Sequence, residues 1–157
     1  MMTVRRAEEK DIPVLKTLLM EVLNIHAQGR PDIFVPNTTK YTDEELVKMI
    51  SDPRTPIFVY DEDGTVLGYA FCIYKERAHS NNMTDIRTLF IDDLCVDAAA
   101  RGKHVGESLY HYVKDYARAN GFYHVTLNVW SFNEKAIGFY EAMGLKPMEY
   151  VMEEVLK

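Results

Sequence analysis

Apolar positions recur along this chain with two periods, and the switches between them mark its elements. Ile12, Leu15, Leu18, Leu19, Val22 and Leu23 fall three and four apart behind Asp11. That spacing predicts a helix capped by Asp11 and ending near Ile25 and His26. A short strand, Thr3 to Ala7, precedes it. From Gln28 to Pro36 a glycine and two prolines forbid regular helix, so a long ordered loop is expected. Thr42-Asp43-Glu44-Glu45 is a capping box whose helix runs to about Ile50. The period then shortens to two. Pro56 to Tyr60 and Val66 to Lys75 read as strands joined by the hairpin turn Asp61-Glu62-Asp63-Gly64. Tyr69, Phe71 and Ile73 share one face of the longer strand.

Glu76 to Asp85 is polar and reads as a mobile loop before the strand Arg87 to Val96. Helical spacing returns with Val105, Leu109, Tyr112, Val113 and Tyr116 and stops at Asn120-Gly121, a good left-handed cap. His124 to Trp130 alternates as a strand, and Ser131-Phe132-Asn133-Glu134 is a second capping box. Its helix carries Ala136, Ile137, Phe139 and Tyr140 and is closed by Gly144; Met148 to Leu156 reads as a final strand. No repeat, low-complexity tract or linker interrupts the 157 residues, so one domain spanning 1–157 is expected. The element order predicts an α/β fold. The unit from Arg87 to Trp130 requires a right-handed crossover between two parallel strands, and the middle strands pair as antiparallel hairpins.

Composition narrows the function classes. Hydrophobic content of 47% and charged content of 27% are those of a soluble globular protein, and no apolar run approaches the roughly 20 residues of a membrane span. The opening residues lack the hydrophobic core of a signal peptide, so a cytoplasmic location is expected. Cys72 and Cys95 lie in apolar strands and read as buried free thiols. In that compartment the Asn-X-Thr triplets at Asn37 and Asn82 carry no glycosylation signal. A net charge of −6 argues against general nucleic-acid binding and is compatible with a cationic acceptor. The histidines have no metal-ligand spacing, and no Ser-His-Asp or Cys-His set stands out.

The stretch from Asp93 to Gly106 carries the chemistry. An apolar strand ends in a polar loop with two glycines and two cations, and a helix starts at once. Free N–H groups and the positive helix end make an anion site there, to which Arg101 and Lys103 add charge. An ordinary strand-to-helix connection is the plain alternative. The loop is not a nucleotide P-loop, since Gly102-Lys103 lacks the upstream glycine and a following Ser or Thr.

Val96 with Arg101-Gly102-Lys103-His104-Val105-Gly106 resembles the R-x-x-G-x-G/A loop of GNAT-family N-acetyltransferases. Asn133 to Leu145, with Ala136, Phe139, Tyr140 and Gly144 in place, resembles that family's N-x-x-A-x-x-F-Y-x-x-x-G-F segment. The resemblance runs from Val4 to Met148. It implies a single-domain α/β fold with a mixed, mostly antiparallel sheet flanked by about four helices. In that fold a splayed parallel strand pair forms the acetyl-CoA slot.

By resemblance, Leu94, Cys95 and Val96 offer backbone groups to the pantetheine and thioester, and Arg101, Gly102, Lys103, His104, Val105 and Gly106 wrap the pyrophosphate. Asn133, Lys135 and Ala136 lie on the cofactor side, although Asn133 also serves as a helix cap. His104 stands where the family usually has glycine; its side chain is expected to point away. An acceptor ammonium of pKa about 10 must lose a proton, and a leaving thiolate of pKa about 8–9 needs little help. One base and one acid suffice.

Tyr140 matches the acid, with a core aromatic as its other role. Asp92 falls on the position of a base, with Asp93 adjacent and a structural salt bridge as the competing role. Strand alternation lets only one of the two face a given side. The acceptor pocket is expected near His26, Arg30, Asp32, Phe34 and Tyr41. The implied activity is acetyl transfer from acetyl-CoA to a primary amine, with a small amine or polyamine favoured. Aminoglycosides and protein N-termini are alternatives, as are a non-catalytic acyl-CoA sensor and a purely structural domain. The edge of the last strand makes a homodimer plausible.

Overall fold

The computed structural model describes residues 1–76 and 80–157. Strands β1 (Met2–Arg6), β2 (Ile57–Glu62), β3 (Thr65–Glu76), β4 (Arg87–Val96) and β5 (His124–Leu127) form one sheet in that spatial order. The first three pairings are antiparallel and β4 pairs with β5 in parallel, as the crossover through the third helix requires. Helices α1 (Ile12–Gly29), α2 (Asp43–Ser51), α3 (Val105–Ala119) and α4 (Glu134–Ala142) complete the mixed α/β fold.

Alternation along the strands divides the core into two layers. Ile57, Val59, Tyr69 and Phe71 face α1 and α2, where they meet Leu15, Leu18, Leu19 and Leu46. Phe58, Tyr60, Ala70 and Cys72 face the opposite way, toward Leu109, Tyr110 and Val113 of α3. Phe139, Met143 and Leu145 pack on that same side, which places α4 beside α3 over the end of β4. Both cysteines are buried and free, as expected. No helix among the described residues is long and apolar enough to cross a membrane.

Several boundaries differ from the sequence reading. Asp11 does not cap α1; its carboxylate accepts from Glu8 N–H at 2.8 Å and binds Arg5. α1 continues past His26 to Gly29, since no proline intervenes before Pro31. A Cβ at Gly29 would lie 2.2 Å from the Phe132 ring, so glycine there admits the aromatic to the helix end. On α3, Tyr110 is buried and Tyr112 is partly exposed. α4 is capped by Asn133, not Ser131, because Asn133 N–H first closes a turn onto Trp130 C=O at 2.9 Å. β5 stops at Leu127 instead of Trp130. The expected final strand is absent: residues 146–157 have no regular structure and make no backbone hydrogen bond to the rest of the described chain. Alternation there supplied a strand pattern without a partner for a ladder. The loop expected from Glu76 to Asp85 falls partly on residues 77–79, which lie outside the described residues; residues 80–86 have no regular structure.

Candidate active site

The pairing of β4 with β5 runs only from Thr88 opposite His124 to Ile91 opposite Leu127. β4 continues to Val96, held on its other side by β3, while the chain beyond Leu127 departs. The edge of Leu94, Cys95 and Val96 therefore opens into a slot between diverging strands. A short 3-10 turn, Ala98–Ala100, closes the far end, capped by Asp97, which accepts from Ala99 N–H at 2.9 Å. Gly102, at φ 87°, and His104, at φ 59°, then swing the chain into α3.

Among the described residues, the N–H groups of Val105, Gly106 and Glu107 have no acceptor; the first bond of this turn is Ser108 N–H to His104 C=O at 3.0 Å. Three converging donors at a helix N-terminus favour an anion. Arg101 beside them is exposed and has no ion-pair partner among the described residues, whereas Lys103 Nζ lies 3.4 Å from Glu62. His104 takes the left-handed conformation a glycine would supply, and its side chain is 79% exposed with Nδ1 3.3 Å from Glu107. The backbone shape is kept and the ring leaves the loop, as expected. A Cβ at Gly106 would meet Phe139 and Val96 at 3.3–3.4 Å, so glycine lets α4 settle over the slot. Asn133 Oδ1 accepts from Ala136 N–H at 3.2 Å, which uses both groups in the α4 cap; Lys135 is exposed. The residues present thus fit a ligand with a phosphate at the α3 end and an extended arm along β4.

The acidic pair departs from simple alternation. Phe71 is opposite Asp93 and Cys72 opposite Ile91, so Asp92 is the extra residue of a β-bulge. The bulge turns both carboxylates toward the α1 and α2 side. Asp92 accepts from Lys40 Nζ at 2.9 and 3.0 Å and from the Tyr41 hydroxyl. Lys40 Nζ also lies 5.6 Å from the centroid of the Tyr41 ring, which stacks on Phe71. Asp93 Oδ2 accepts from Tyr69 OH at 2.6 Å. Burial pushes the Asp93 carboxyl up to about 6, against the opposing pull of the Tyr69 bond and the Lys40 charge. Expecting only one of the two to face this side was therefore wrong, because alternation fails at a bulge.

Tyr140, on α4, stands within electrostatic reach of Asp93, Cys95 and Tyr110. Burial first, then these neighbours, hold its phenol well above the usual value, and its hydroxyl has no hydrogen-bond partner among the described residues. It keeps its proton and has it free to donate. Cys95 is raised to about 12 by burial, which suits packing and not nucleophilic attack.

Of the expected acceptor residues, Tyr41 reaches Asp92, and His26 lies in the field of Lys40. His26 lies 5.2 Å from Phe34 between ring centroids, and Phe34 lies 5.3 Å from Trp130. Burial and then the Lys40 charge lower the His26 pKa. Arg30 instead binds Asp32 at 2.8 and 2.9 Å and also Glu153, so those two candidates form a rim ion pair. Sequence reasoning missed Lys40, Tyr69, Trp130 and Phe132. Trp130, the single tryptophan, ended a strand-like alternation and was the one available signal; Lys40 had none.

The sequence profile described as the acetyltransferase (GNAT) family matches residues 19–145. Streptothricin acetyltransferase of Streptomyces lavendulae is 34% identical over 94 residues, which are 60% of this chain and 45% of that protein. The matched part thus spans under half the length of that relative. Among solved structures, a mutant of the BH1408 protein from Bacillus halodurans superposes with a TM-score of 0.94 at 24% identity, covering 99% of each chain. An aminoglycoside acetyltransferase from an uncultured soil metagenomic sample, in complex with sisomicin, gives 0.71 at 18% identity over 99% of this chain and 95% of that one. An aminoglycoside N-acetyltransferase in complex with CoA gives 0.72 at 15% identity over 99% and 94%. These three likenesses are likenesses of fold.

Proposed function

The chain belongs to the acetyltransferase (GNAT) family, and we propose that it transfers acetyl from acetyl-CoA to a primary amine on a small cationic acceptor. Acetyl-CoA is the donor this family uses, and it supplies an activated thioester carbonyl. The free N–H groups of Val105, Gly106 and Glu107, with Arg101, hold the pyrophosphate. The open edge of Leu94 to Val96 takes the pantetheine arm. Asp92 receives the acceptor's ammonium in the place where Lys40 Nζ now sits, between a carboxylate and the Tyr41 ring. That placement is the observation that carries the reading, since it is a site for an alkylammonium occupied by one.

Asp93 takes the proton, directly or through one water. A carboxyl with a pKa of about 6 accepts a proton more readily than an ordinary one and is still mostly ionised at pH 7. The amine nitrogen then bonds to the acetyl carbon as the carbon–sulfur bond breaks. Tyr140 donates a hydrogen bond to the departing sulfur, and the second proton, shed by the nitrogen as the amide forms, ends on that sulfur to give the free thiol. Two similar proteins are named for acetylating streptothricin and aminoglycosides, and aminoglycosides carry several amines. A polyamine or another small amine fits the same carboxylate.

Thiol release from acetyl-CoA with spermidine, small monoamines, amino acids, aminoglycosides and N-terminal peptides tests the proposal, with the product identified by mass. The expected result is acetylation of one amine class and none of the matching alcohol. Asp92→Asn should raise the amine KM at least tenfold and leave acetyl-CoA affinity unchanged. Acetyl-CoA binding without release to any amine would identify an acyl-CoA sensor instead.

A further inference from the structure

Lys40 puts a primary amine of the chain itself on the carboxylate that the proposed acceptor would use. Its Nζ stands 2.9 and 3.0 Å from the two Asp92 oxygens and 5.6 Å from the centroid of the Tyr41 ring. Its charge acts on Asp93, the carboxyl assigned above as the base, and Tyr140 lies in the field of that same carboxyl. An amine, a base and an acid for the leaving group thus share one neighbourhood within a single chain.

The local chain aims this side chain. Asn37, at φ 61°, turns the segment after α1, and its N–H donates to Asn24 Oδ1 at 2.8 Å. Thr39 Oγ1 donates to Tyr41 C=O at 3.1 Å, while the Tyr41 ring stacks on Phe71 and its hydroxyl donates to Asp92. Lys40 is therefore fixed from both sides. An ion pair that only pins this segment is the plain alternative, and Lys16 supplies the comparison. Its Nζ lies 2.7 Å from Asp43, and its side chain is 41% exposed against 49% for Lys40. The two lysines match in pairing and exposure and differ in what surrounds the pair.

We infer that Lys40 is an acceptor of its own active site and is acetylated on Nζ by acetyl-CoA bound to the same chain. The inference rests on the acetyl-transfer reading and names one amine for it. The Nζ ammonium passes one proton to Asp93, directly or through a water. Nζ then bonds to the acetyl carbon as the carbon–sulfur bond breaks, and the second nitrogen proton ends on sulfur. The products are acetyl-lysine and the free thiol, with nothing oxidised or reduced. The amide carries no charge, so its formation dissolves the pair with Asp92 and leaves that carboxylate to an outside ammonium.

Incubation of the full chain with acetyl-CoA and no added amine tests the inference, with acetylation at Lys40 and Lys16 followed by peptide mass. Lys40 should be modified at least about tenfold faster than Lys16, at a rate unchanged from about 1 to 50 μM protein, as a reaction within one chain requires. In Asp92→Asn the Lys40 rate should fall to that of Lys16. A second readout uses no acetyl-CoA. The n-butylammonium ion is a lysine side chain cut at Cα, and Lys40→Ala leaves a place for it. Its chloride should raise the melting temperature of Lys40→Ala above the value in equal sodium chloride and leave the wild type unmoved. Equal rates at the two lysines would overturn the inference, as would an equal response of the two proteins to butylammonium. Acetylation of an added amine with Lys40 unmodified would overturn it and leave the acetyl-transfer reading standing. Acetyl-CoA bound with neither amine nor lysine acetylated would overturn both.

Discussion

Asp93 shows how much one inserted residue can decide. Had β4 alternated without interruption, one of Asp92 and Asp93 would face α3, and no acid pair would exist. The bulge at Asp92 brings both to one side and gives them different settings: Asp92 on Lys40 and Tyr41, Asp93 enclosed against Tyr69. Because burial raises Asp93 to about 6, its charged form is the disfavoured one in the folded state. The sign follows for activity and stability together. As a base it must be ionised, so kcat/KM should fall with one proton as the pH drops through about 6, and this limb should vanish in Asp93→Asn.

For stability, a raised carboxyl binds its proton more tightly folded than unfolded. Its contribution is favourable at acid pH and is lost as the pH rises through about 6. Asp93→Asn should therefore be more stable than the wild type at pH 7, by on the order of 2 kcal/mol in urea unfolding. A variant that keeps the pH limb would remove Asp93 from the reaction. None of this was readable from the residues Phe90 to Leu94, because a bulge is a property of two strands in register and not of one.

Among the elements, most starts and stops were legible because capping chemistry is local. The Thr42 box opens α2 as read, with Glu45 N–H donating to Thr42 Oγ1 at 3.2 Å and Thr42 N–H to Glu45 Oε1 at 2.9 Å. Asp63 and Gly64, both at positive φ, make the hairpin turn between β2 and β3. Asp11 looked equally local and was not. Its carboxylate is taken by Arg5 Nη1 at 2.8 Å and Nη2 at 3.0 Å, while Arg5 Nε reaches Asp61 at 3.0 Å.

A long-range ion pair thus outcompetes the cap and ties β1 and β2 to the start of α1. Burial alone would raise the Asp11 carboxyl, but the Arg5 bonds and the Glu8 N–H outweigh it and hold it below the usual range. Asp11→Asn should cost about 2 kcal/mol in urea unfolding at pH 7, because it takes the two-oxygen carboxylate from Arg5 and leaves its charge to Asp61. With a lowered folded value the sign is opposite to that of Asp93. The contribution is full above the ordinary carboxylate value and disappears as the pH falls through the folded one. A loss under 1 kcal/mol would mean that Asp61 alone holds Arg5.

Over the whole molecule, the division of labour follows the sheet. The slot and the free N–H groups at its α3 end sit on contiguous sequence, Asp92 to Glu107, and so were legible through one motif, with Asn133 to Leu145 as a second. The proposed acceptor side is assembled from the end of α1, the segment before α2, and the residues after β5. Lys40 meets Asp92 across 52 positions, and no local pattern announces such a meeting. The C-terminal segment carries a strand pattern but forms no strand, since alternation does not say whether a ladder partner exists. The two halves of the proposed reaction meet at Tyr140, whose α4 packs over the slot while its electrostatic neighbours include Asp93.

The most direct test is the rate of thiol release from acetyl-CoA with the best amine, for wild type and Tyr140→Phe, with acetyl-CoA binding measured for both. The expected outcome is a kcat reduced about 100-fold in the variant at unchanged acetyl-CoA affinity, the loss of one hydrogen bond made to the departing sulfur. Equal rates in the two proteins would contradict the assignment of the leaving-group side of the site to α4.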